Sequence, residues 1–514
     1  MYSKMPHHFL FLFCFILLSV GVNAVTTTCP PSVYPVTCHI FNATIDHYNF
    51  RPTTVPHYSM RYVMNKEHWK KGGPVFFYTG NEADIFQFVN NSGFMFETAQ
   101  EFGALVVFAE HRYYGLSNPF GNDYALGIPY NVSFLTVEQA MQDFNTLNVH
   151  LRASYAMPTS TAFIAFGGSY GGNLAMWVRL KNPHLWAGAI ASSAPPLKHL
   201  LRKTNAFARI ETEVYANVSA KCPDLVRAGW KALFEGAKTI SGRISTAKAL
   251  GLCRPLPDKT SATEVMGWID YALETMVQYG YPYPSNFDNP VPGYPFKVTC
   301  EKMLESETGL GALRAASSVF YNYTGQAGSC FDFDEIRFHA RKFWKRTGKY
   351  GNVQKQNHRI NPLLETQAAW GYQCCTEVYQ PMPTNGVTDF EVPSTPNKTA
   401  YYENCMKTWG VTPRPDWEEM TFMGNHISAG SNIFLTSGQL DPWRAAGITT
   451  KPPGSPDSII VRVIEHAAHH LDLRAANELD PPSVTAVRNE ERAAIKNWIV
   501  QYKELHVHGT EEEL

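Results

Sequence analysis

From Gly73 the chain alternates short, nearly continuous apolar runs with longer stretches in which apolar residues recur every three or four positions. The short runs are PVFFYT (74–79), ALVVFAE (104–110), TAFIAF (161–166) and AGAIASSA (187–194). Runs of that length read as strands buried on both faces. Between them, SFLTVEQAMQDFNTLNVHLRA (133–153) shows helical spacing after a Thr136 cap, and NLAMWVRLKNP (173–183) does so until Pro183 stops it. Strands joined by crossover helices predict an α/β fold with a parallel sheet covered on both faces.

After Pro195 and Pro196 the rhythm stops. Residues from about 197 to 425 carry helix-like runs broken by proline-rich loops such as GYPYPSNF (280–287). The alternation resumes with SNIFLTSG (431–438) and SIIVRVIE (458–465), and a polar-faced helix closes the pattern over about 482–505. The expected organisation is a sheet domain built from 25–196 and 426–514, interrupted by a mostly helical cap domain at 197–425. The 514 residues are enough for such a division.

The N-terminus changes the cellular context. Residues 1–24 place Lys4 before an apolar run, Phe9 to Val22, and end on Ala24, the pattern of a cleaved signal peptide. As a membrane anchor the run falls short of the roughly 18 to 20 apolar residues needed to span a bilayer. No other segment approaches that length, so no membrane span is expected. Nine cysteines remain beyond the leader, seven of them in the insertion, as suits disulfides in an oxidising compartment. Six glycosylation sequons begin at Asn42, Asn90, Asn131, Asn217, Asn322 and Asn397. Secretion or lysosomal delivery is the expected localisation. A formal net charge of −1 offers no field for nucleic acid, so recognition is expected to rest on a pocket. The one conspicuous basic run, Arg337 to Arg359, reads as a solvated face of the cap.

Gly167-Gly168-Ser169-Tyr170-Gly171 is the single G-x-S-x-G of the chain. An apolar strand leads in and a helix leads out, as a nucleophile elbow requires, because the serine must sit on a strained turn with its hydroxyl exposed above the sheet. A serine hydroxyl needs a base, and an acid and a histidine follow in the order Ser, Asp, His. Asp441 comes just after the run at 431–438 and His469 just after the run at 458–465, so all three fall at the carboxyl ends of strands. The segment EHAAHH offers His466, His469 and His470, whose spacing also allows metal ligands, but no HExxH or paired CxxC accompanies them. Spacing alone does not separate His469 from His470. Tyr170 at the helix start and the loop Gly80-Asn81-Glu82 are the expected oxyanion-hole donors.

With these residues in view, the chain resembles the serine peptidase family of lysosomal Pro-X carboxypeptidase and dipeptidyl peptidase II, from about Asp46 to Tyr502. The blocks that carry the resemblance include GGPVFFYTGNEADI (72–85), VFAEHRYYG (107–115), FGGSYGGNLAMW (166–177), YPYPSNF (281–287), WGVTPRPDW (409–417), LDPW (440–443) and AHHLDLR (468–474). It implies an α/β-hydrolase domain whose helical cap is inserted before the catalytic Asp. The catalytic roles fall on Ser169, Asp441 and His469, with His470 and Arg474 extending the charge network. It also implies the disulfides Cys222–Cys300, Cys253–Cys330 and Cys375–Cys405; Cys29 and Cys38, outside the shared region, are able to pair locally, which leaves Cys374 as a free thiol. No metal or other cofactor is implied.

The departures bear on specificity. Asn173 and Gln380 stand where prolyl-cleaving relatives carry methionines of the proline slot, while Trp443 is kept. Ala83, Ala467 and Arg444-Ala445-Ala446 replace glycines of the family pattern. The expected function is a serine exopeptidase acting on short peptides and releasing a C-terminal residue after proline, the branch to which NYTGQ (322–326) and TNGV (384–387) are similar. Release of N-terminal dipeptides, with Glu82 as partner of the substrate amine, is the alternative within the family. A secreted binding protein without turnover, or a lipase or esterase, lies outside it. Expected partners are peptide substrates, with a homodimer as a compatible assembly.

Overall fold

The computed structural model describes residues 26–51, 53, 55–121, 129–332 and 362–508. Residues 1–24, expected to form a leader, and the basic stretch 337–359 lie outside them. A nine-stranded sheet runs in the order β1-β2-β3-β5-β4-β6-β7-β8-β9. Six strands are parallel: β4 (Val75–Thr79), β5 (Leu105–Ala109), β6 (Phe163–Gly168), β7 (Gly188–Ser192), β8 (Ile433–Gly438) and β9 (Ile459–Ile464). All residues of β4 to β8 are buried, which accounts for their continuous apolar character.

The remaining three strands form an antiparallel edge that the apolar pattern does not announce. They are β1 (Thr26–Thr27), β2 (Thr37–Thr44) and β3 (His57–Asn65). In β3 the buried residue Arg61 interrupts the apolar run, and its guanidinium pairs with the buried Glu110 at the end of β5. A buried ion pair thus hides a strand from a reading by hydrophobicity.

The helix Val137–Ser154 begins at Thr136, whose side chain accepts from the Gln139 N–H, and the helix Tyr170–Lys181 leaves β6 directly. Between β7 and β8 the chain departs from the sheet and builds helices including Ala206–Val218, Lys221–Gly236, Ser261–Gln278 and Gly309–Tyr321. These pack around their own core, with Trp230, Ile269 and Leu313 buried in it. Cys222–Cys300 and Cys253–Cys330 link this helical layer, Cys375–Cys405 ties a later part of it, and Cys29–Cys38 joins the N-terminal segment to β2. Cys374 is buried and free of disulfide. Ser169, Asp441 and His469 follow β6, β8 and β9, so the topology brings all three to one edge of the sheet.

Candidate active site

Ser169 sits where β6 turns into the helix Tyr170–Lys181, with φ 59° and ψ −128°. That left-handed φ is costly for a residue with a side chain and persists only where the surroundings impose it. Here they do. The Ser169 N–H donates to the Ser192 carbonyl at 2.9 Å, and a Cβ at Gly167 would stand 2.0 Å from the Gly171 carbonyl oxygen, so the turn closes only around glycine.

Asp441 and His469 are both fully buried. Asp441 Oδ2 accepts from His469 Nδ1 at 2.6 Å, while its Oδ1 accepts the Trp443 N–H at 2.9 Å. The two turns that carry them are locked together: the Leu440 N–H donates to the Ala467 carbonyl at 2.9 Å, and Gly438 passes so close that a Cβ would lie 2.4 Å from the same oxygen. The helical layer holds the histidine from the other side. The His469 N–H donates to the Gln278 carbonyl at 3.0 Å, and the Tyr281 hydroxyl donates to the His469 carbonyl at 3.1 Å. With Nδ1 engaged, Nε2 is buried and has no hydrogen-bond partner among the described residues. It belongs to the cavity that Ser169 also lines.

The neighbouring histidines separate clearly. His466 is exposed. The ring of His470 lies against that of His469, with centroids 4.6 Å apart, and its backbone N–H donates to Ser193 Oγ at 2.9 Å. Burial above all, then the neighbouring His469 and Arg474, pushes its pKa well below the ordinary histidine range, so it stays neutral. Arg474 reaches other partners: Nε donates to the Tyr283 hydroxyl at 3.1 Å, Nη1 donates to Asn91 Oδ1 at 2.9 Å, and the guanidinium lies 4.2 Å from the Tyr281 ring centre. No group of three or more metal-ligating side chains forms among the described residues.

Two of the expected contacts require correction. The Gly80 N–H is not available as an oxyanion donor, because it already donates to the Ala109 carbonyl at 3.0 Å. Gly80 is needed instead for close approach, since a Cβ there would stand 2.1 Å from that oxygen. In the same loop Asn81 lines the cavity and its N–H has no partner among the described residues, as is true of Tyr170 at the start of the helix. Asn173 does not line the cavity. It is fully buried one helical turn beyond Ser169, and its amide nitrogen donates to the Pro195 carbonyl at 3.4 Å.

Gln380, Trp443 and Glu82 do line the cavity. The indole of Trp443 is fixed by a 3.1 Å hydrogen bond from Nε1 to Gln278 Oε1, and Glu82 accepts from Asn81 Nδ2 at 2.9 Å. Tyr170 is held by a buried network in which Gln373 Nε2 donates to its hydroxyl at 3.0 Å and His111 Nε2 lies 3.2 Å away. Burial lowers the His111 pKa to about 4, which keeps that network neutral. Lys198, Gln278, Asp288 and Trp370 also line the cavity and had no signal in the sequence, because the loops and helices that deliver them carry no motif. Of the sequon asparagines, Asn42, Asn217 and Asn397 are exposed, and Asn90, Asn131 and Asn322 are half-buried.

A parallel sheet with a serine on a strained strand-to-helix turn, a buried Asp–His pair at the same edge and a helical insertion before the Asp is the architecture of an α/β-hydrolase. Comparison with known proteins takes the assignment one step further: residues 43–491 match the family model described as serine carboxypeptidase S28, and the chain belongs to that family. It is therefore a serine peptidase by family. Lysosomal Pro-X carboxypeptidase of Pongo abelii is 38% identical over 465 residues, covering 89% of this chain and 87% of that protein. The Homo sapiens protein of the same name is 37% identical over the same shares. Thymus-specific serine protease of Homo sapiens is 24% identical, covering 87% of this chain and 84% of its own length.

Proposed function

We propose that this chain hydrolyses short peptides through an acyl-enzyme, with Ser169 as nucleophile, His469 as general base and Asp441 as its orienter, and that it releases a C-terminal residue that follows proline or another small apolar residue. The observation that carries the reading is the Asp441–His469 hydrogen bond of 2.6 Å, which leaves Nε2 without a partner in the cavity that Ser169 lines. Nε2 takes the Ser169 hydroxyl proton as Oγ attacks the scissile carbonyl and then hands it to the leaving amine. The N–H groups of Tyr170 and Asn81 receive the developing oxyanion. Water repeats the sequence on the acyl-enzyme and frees the shortened peptide. His470 and Arg474 act as support, His470 by packing its neutral ring against the base.

The exopeptidase character rests on the helical layer, residues 197–425 in this reading, which acts as a cap. Its residues Gln278, Tyr279 and Asp288 close the cavity on one side. Trp443 supplies a flat apolar wall for a proline ring, and the relatives named Pro-X carboxypeptidase support the same preference. Their name also supports a lysosomal site of action, as do the four disulfides. Release of N-terminal dipeptides is favoured by one observation, the carboxylates of Glu82 and Asp288 in the lining, which suit a substrate amine.

Labelling with a neutral fluorophosphonate tests the nucleophile: Ser169→Ala should abolish both labelling and hydrolysis, a fall in kcat of about 10⁴- to 10⁶-fold. Retention of a tenth of the activity would overturn the assignment. Mass spectrometry on N-acetylated and C-amidated peptides decides direction, and cleavage that is lost on acetylation but survives amidation would replace the carboxypeptidase reading by the dipeptidyl one.

A further inference from the structure

The cavity contains one buried cation that the catalytic scheme does not use. Lys198 belongs to the short helix Lys198–Leu201 just after Pro195 and Pro196, its side chain is 2% exposed, and it lines the cavity together with Ser169 and His469. An ammonium group has three donors. One meets Glu418 Oε1 at 3.3 Å, and Lys198 Nζ makes no other hydrogen bond among the described residues. At 3.3 Å the contact is long for a charge-assisted hydrogen bond, and burial raises the Glu418 pKa in spite of Lys198 and Arg202. A buried ammonium with such a partner is incompletely compensated and gains from a second anion.

A second polar group shares this part of the cavity. Gln380 is 3% exposed and lines the same cavity, and its Oε1 has no hydrogen-bond partner among the described residues. Turning the amide over presents its NH₂ group, in place of that oxygen, to an incoming anion. The Gln380 segment adjoins that of Lys198: the Arg202 guanidinium lies 5.6 Å from the Tyr379 ring centre, and Met382 packs with Leu201 and Trp443 in one apolar cluster. Among the described lining residues Lys198 is the sole Lys or Arg, and the other fixed charges are the carboxylates Glu82 and Asp288. Among the described residues, a substrate carboxylate that enters therefore has Lys198 as the cation to meet.

We propose that Lys198, assisted by the Gln380 amide, anchors a substrate carboxylate next to the scissile bond and makes the enzyme selective for peptides that carry one. The proposal rests on the peptidase reading of Ser169 and adds the charge of its substrate. The carboxylate has two sources, the C-terminal α-carboxylate of the residue released or the side chain of an acidic residue before the scissile bond. In either case Lys198 donates a charge-assisted hydrogen bond, and the Gln380 amide nitrogen supplies a second donor. This also gives a use for an amide in a slot where an apolar side chain would suit proline better.

The test uses the full-length secreted enzyme and two peptide pairs. N-acetyl-Ala-Pro-Phe is compared with its C-terminal amide, and N-acetyl-Ala-Glu-Phe amide with N-acetyl-Ala-Gln-Phe amide. The wild type should prefer the carboxylate member of at least one pair by about 10- to 100-fold in kcat/KM, mostly through KM, and the pair that discriminates identifies the source. Lys198→Met should bring that ratio to near one, and Lys198→Met with Glu418→Gln should do the same while leaving no buried lone carboxylate. Because each ratio is internal to one variant, a general loss of activity cancels. Calorimetric binding of the same peptides to Ser169→Ala reads the anchor without turnover, so a wild type that fails to label with fluorophosphonate defeats the peptidase reading alone. A wild type that binds and cleaves both members of both pairs equally, or a Lys198→Met enzyme that keeps the wild-type ratio, overturns the proposal.

Discussion

Replacing Asp441 by Asn tests whether this carboxylate sets the tautomer of His469. In the native site the two carboxylate oxygens have separate tasks, Oδ2 accepting from His469 Nδ1 at 2.6 Å and Oδ1 accepting the Trp443 N–H at 2.9 Å. Asparagine fits the same space with one acceptor and one NH₂ group. If its oxygen faced the histidine, the buried Trp443 N–H would meet an NH₂ group, at a cost of about 1–3 kcal/mol. The amide oxygen therefore serves Trp443, and the NH₂ group turns to Nδ1. Nδ1 must then be an acceptor, the ring proton moves to Nε2, and Nε2 no longer takes a proton from Ser169. The same exchange in a serine-protease triad lowers kcat by about 10⁴, equivalent to about 5.4 kcal/mol of barrier. Steady-state kinetics on a chromogenic peptide, with circular dichroism as a check on folding, is the assay. KM should change little, because Asp441 is fully buried and contacts no substrate. A folded Asp441→Asn enzyme within tenfold of the wild-type kcat would refute the reasoning.

Three further outcomes follow from the same contacts. Glu491 is fully buried, and burial first, then the neighbouring carboxylate of Asp472, raises its pKa well above the ordinary carboxyl range. The folded state therefore holds this proton more tightly than the unfolded chain, so the contribution is complete below the ordinary carboxyl pKa and is lost as pH rises through the raised one. Glu491→Gln should match the wild type in urea unfolding at pH 4 and exceed it at pH 7.5; an unchanged difference between the two pH values would argue against a protonated Glu491. His469→Ala should lower kcat by about 10⁴- to 10⁶-fold, whereas His470→Ala should cost about tenfold or less, because the His470 backbone bond to Ser193 survives the change; the reverse ranking would exchange their roles. Gln380→Met should raise the unfolding free energy of the substrate-free enzyme by about 1 kcal/mol, since it removes a buried amide oxygen without a partner, and a loss of stability in thermal unfolding would show that the oxygen is satisfied.

What was legible in the sequence follows from how each element is buried. The strands β4 to β8 are covered on both faces, so they are predominantly apolar, with Thr79, Ser192, Thr436 and Ser437 buried only toward their carboxyl ends, and hydrophobicity locates them. Of the antiparallel strands, β2 is only partly buried, and β3, buried from Met60 to Asn65, contains Arg61, whose compensation by Glu110 is 49 residues distant in sequence and invisible locally. The serine turn was legible because its glycines are obligatory, and Gly80 likewise permits a close approach, but the position of its loop after β4 did not show that its N–H is engaged by the Ala109 carbonyl. Asn173 was expected in the proline slot only because relatives carry a methionine at that position, and here its amide turns to the Pro195 carbonyl and the residue does not line the cavity. His469 and His470 differ by one residue and spacing does not separate them; the resemblance points to His469, and the fold shows its ring on Asp441 and His470 at φ 42° with its N–H on Ser193.

The histidine is also where the two layers of the molecule meet. Its N–H is held by the carbonyl of Gln278, the last residue of the helix Ser261–Gln278, and its carbonyl accepts from Tyr281, three residues further on. The same Gln278 accepts the Trp443 indole N–H through its side chain, and Trp443 in turn donates its backbone N–H to Asp441. The end of one inserted helix therefore fixes the base, the acid's second partner and a wall of the substrate cavity. A displacement of that helix end would not merely open the cavity. It would loosen the Asp441–His469 geometry at the same time, so substitutions in the helical layer near Gln278 should change kcat and KM together, whereas a cap that only restricted access would affect KM alone.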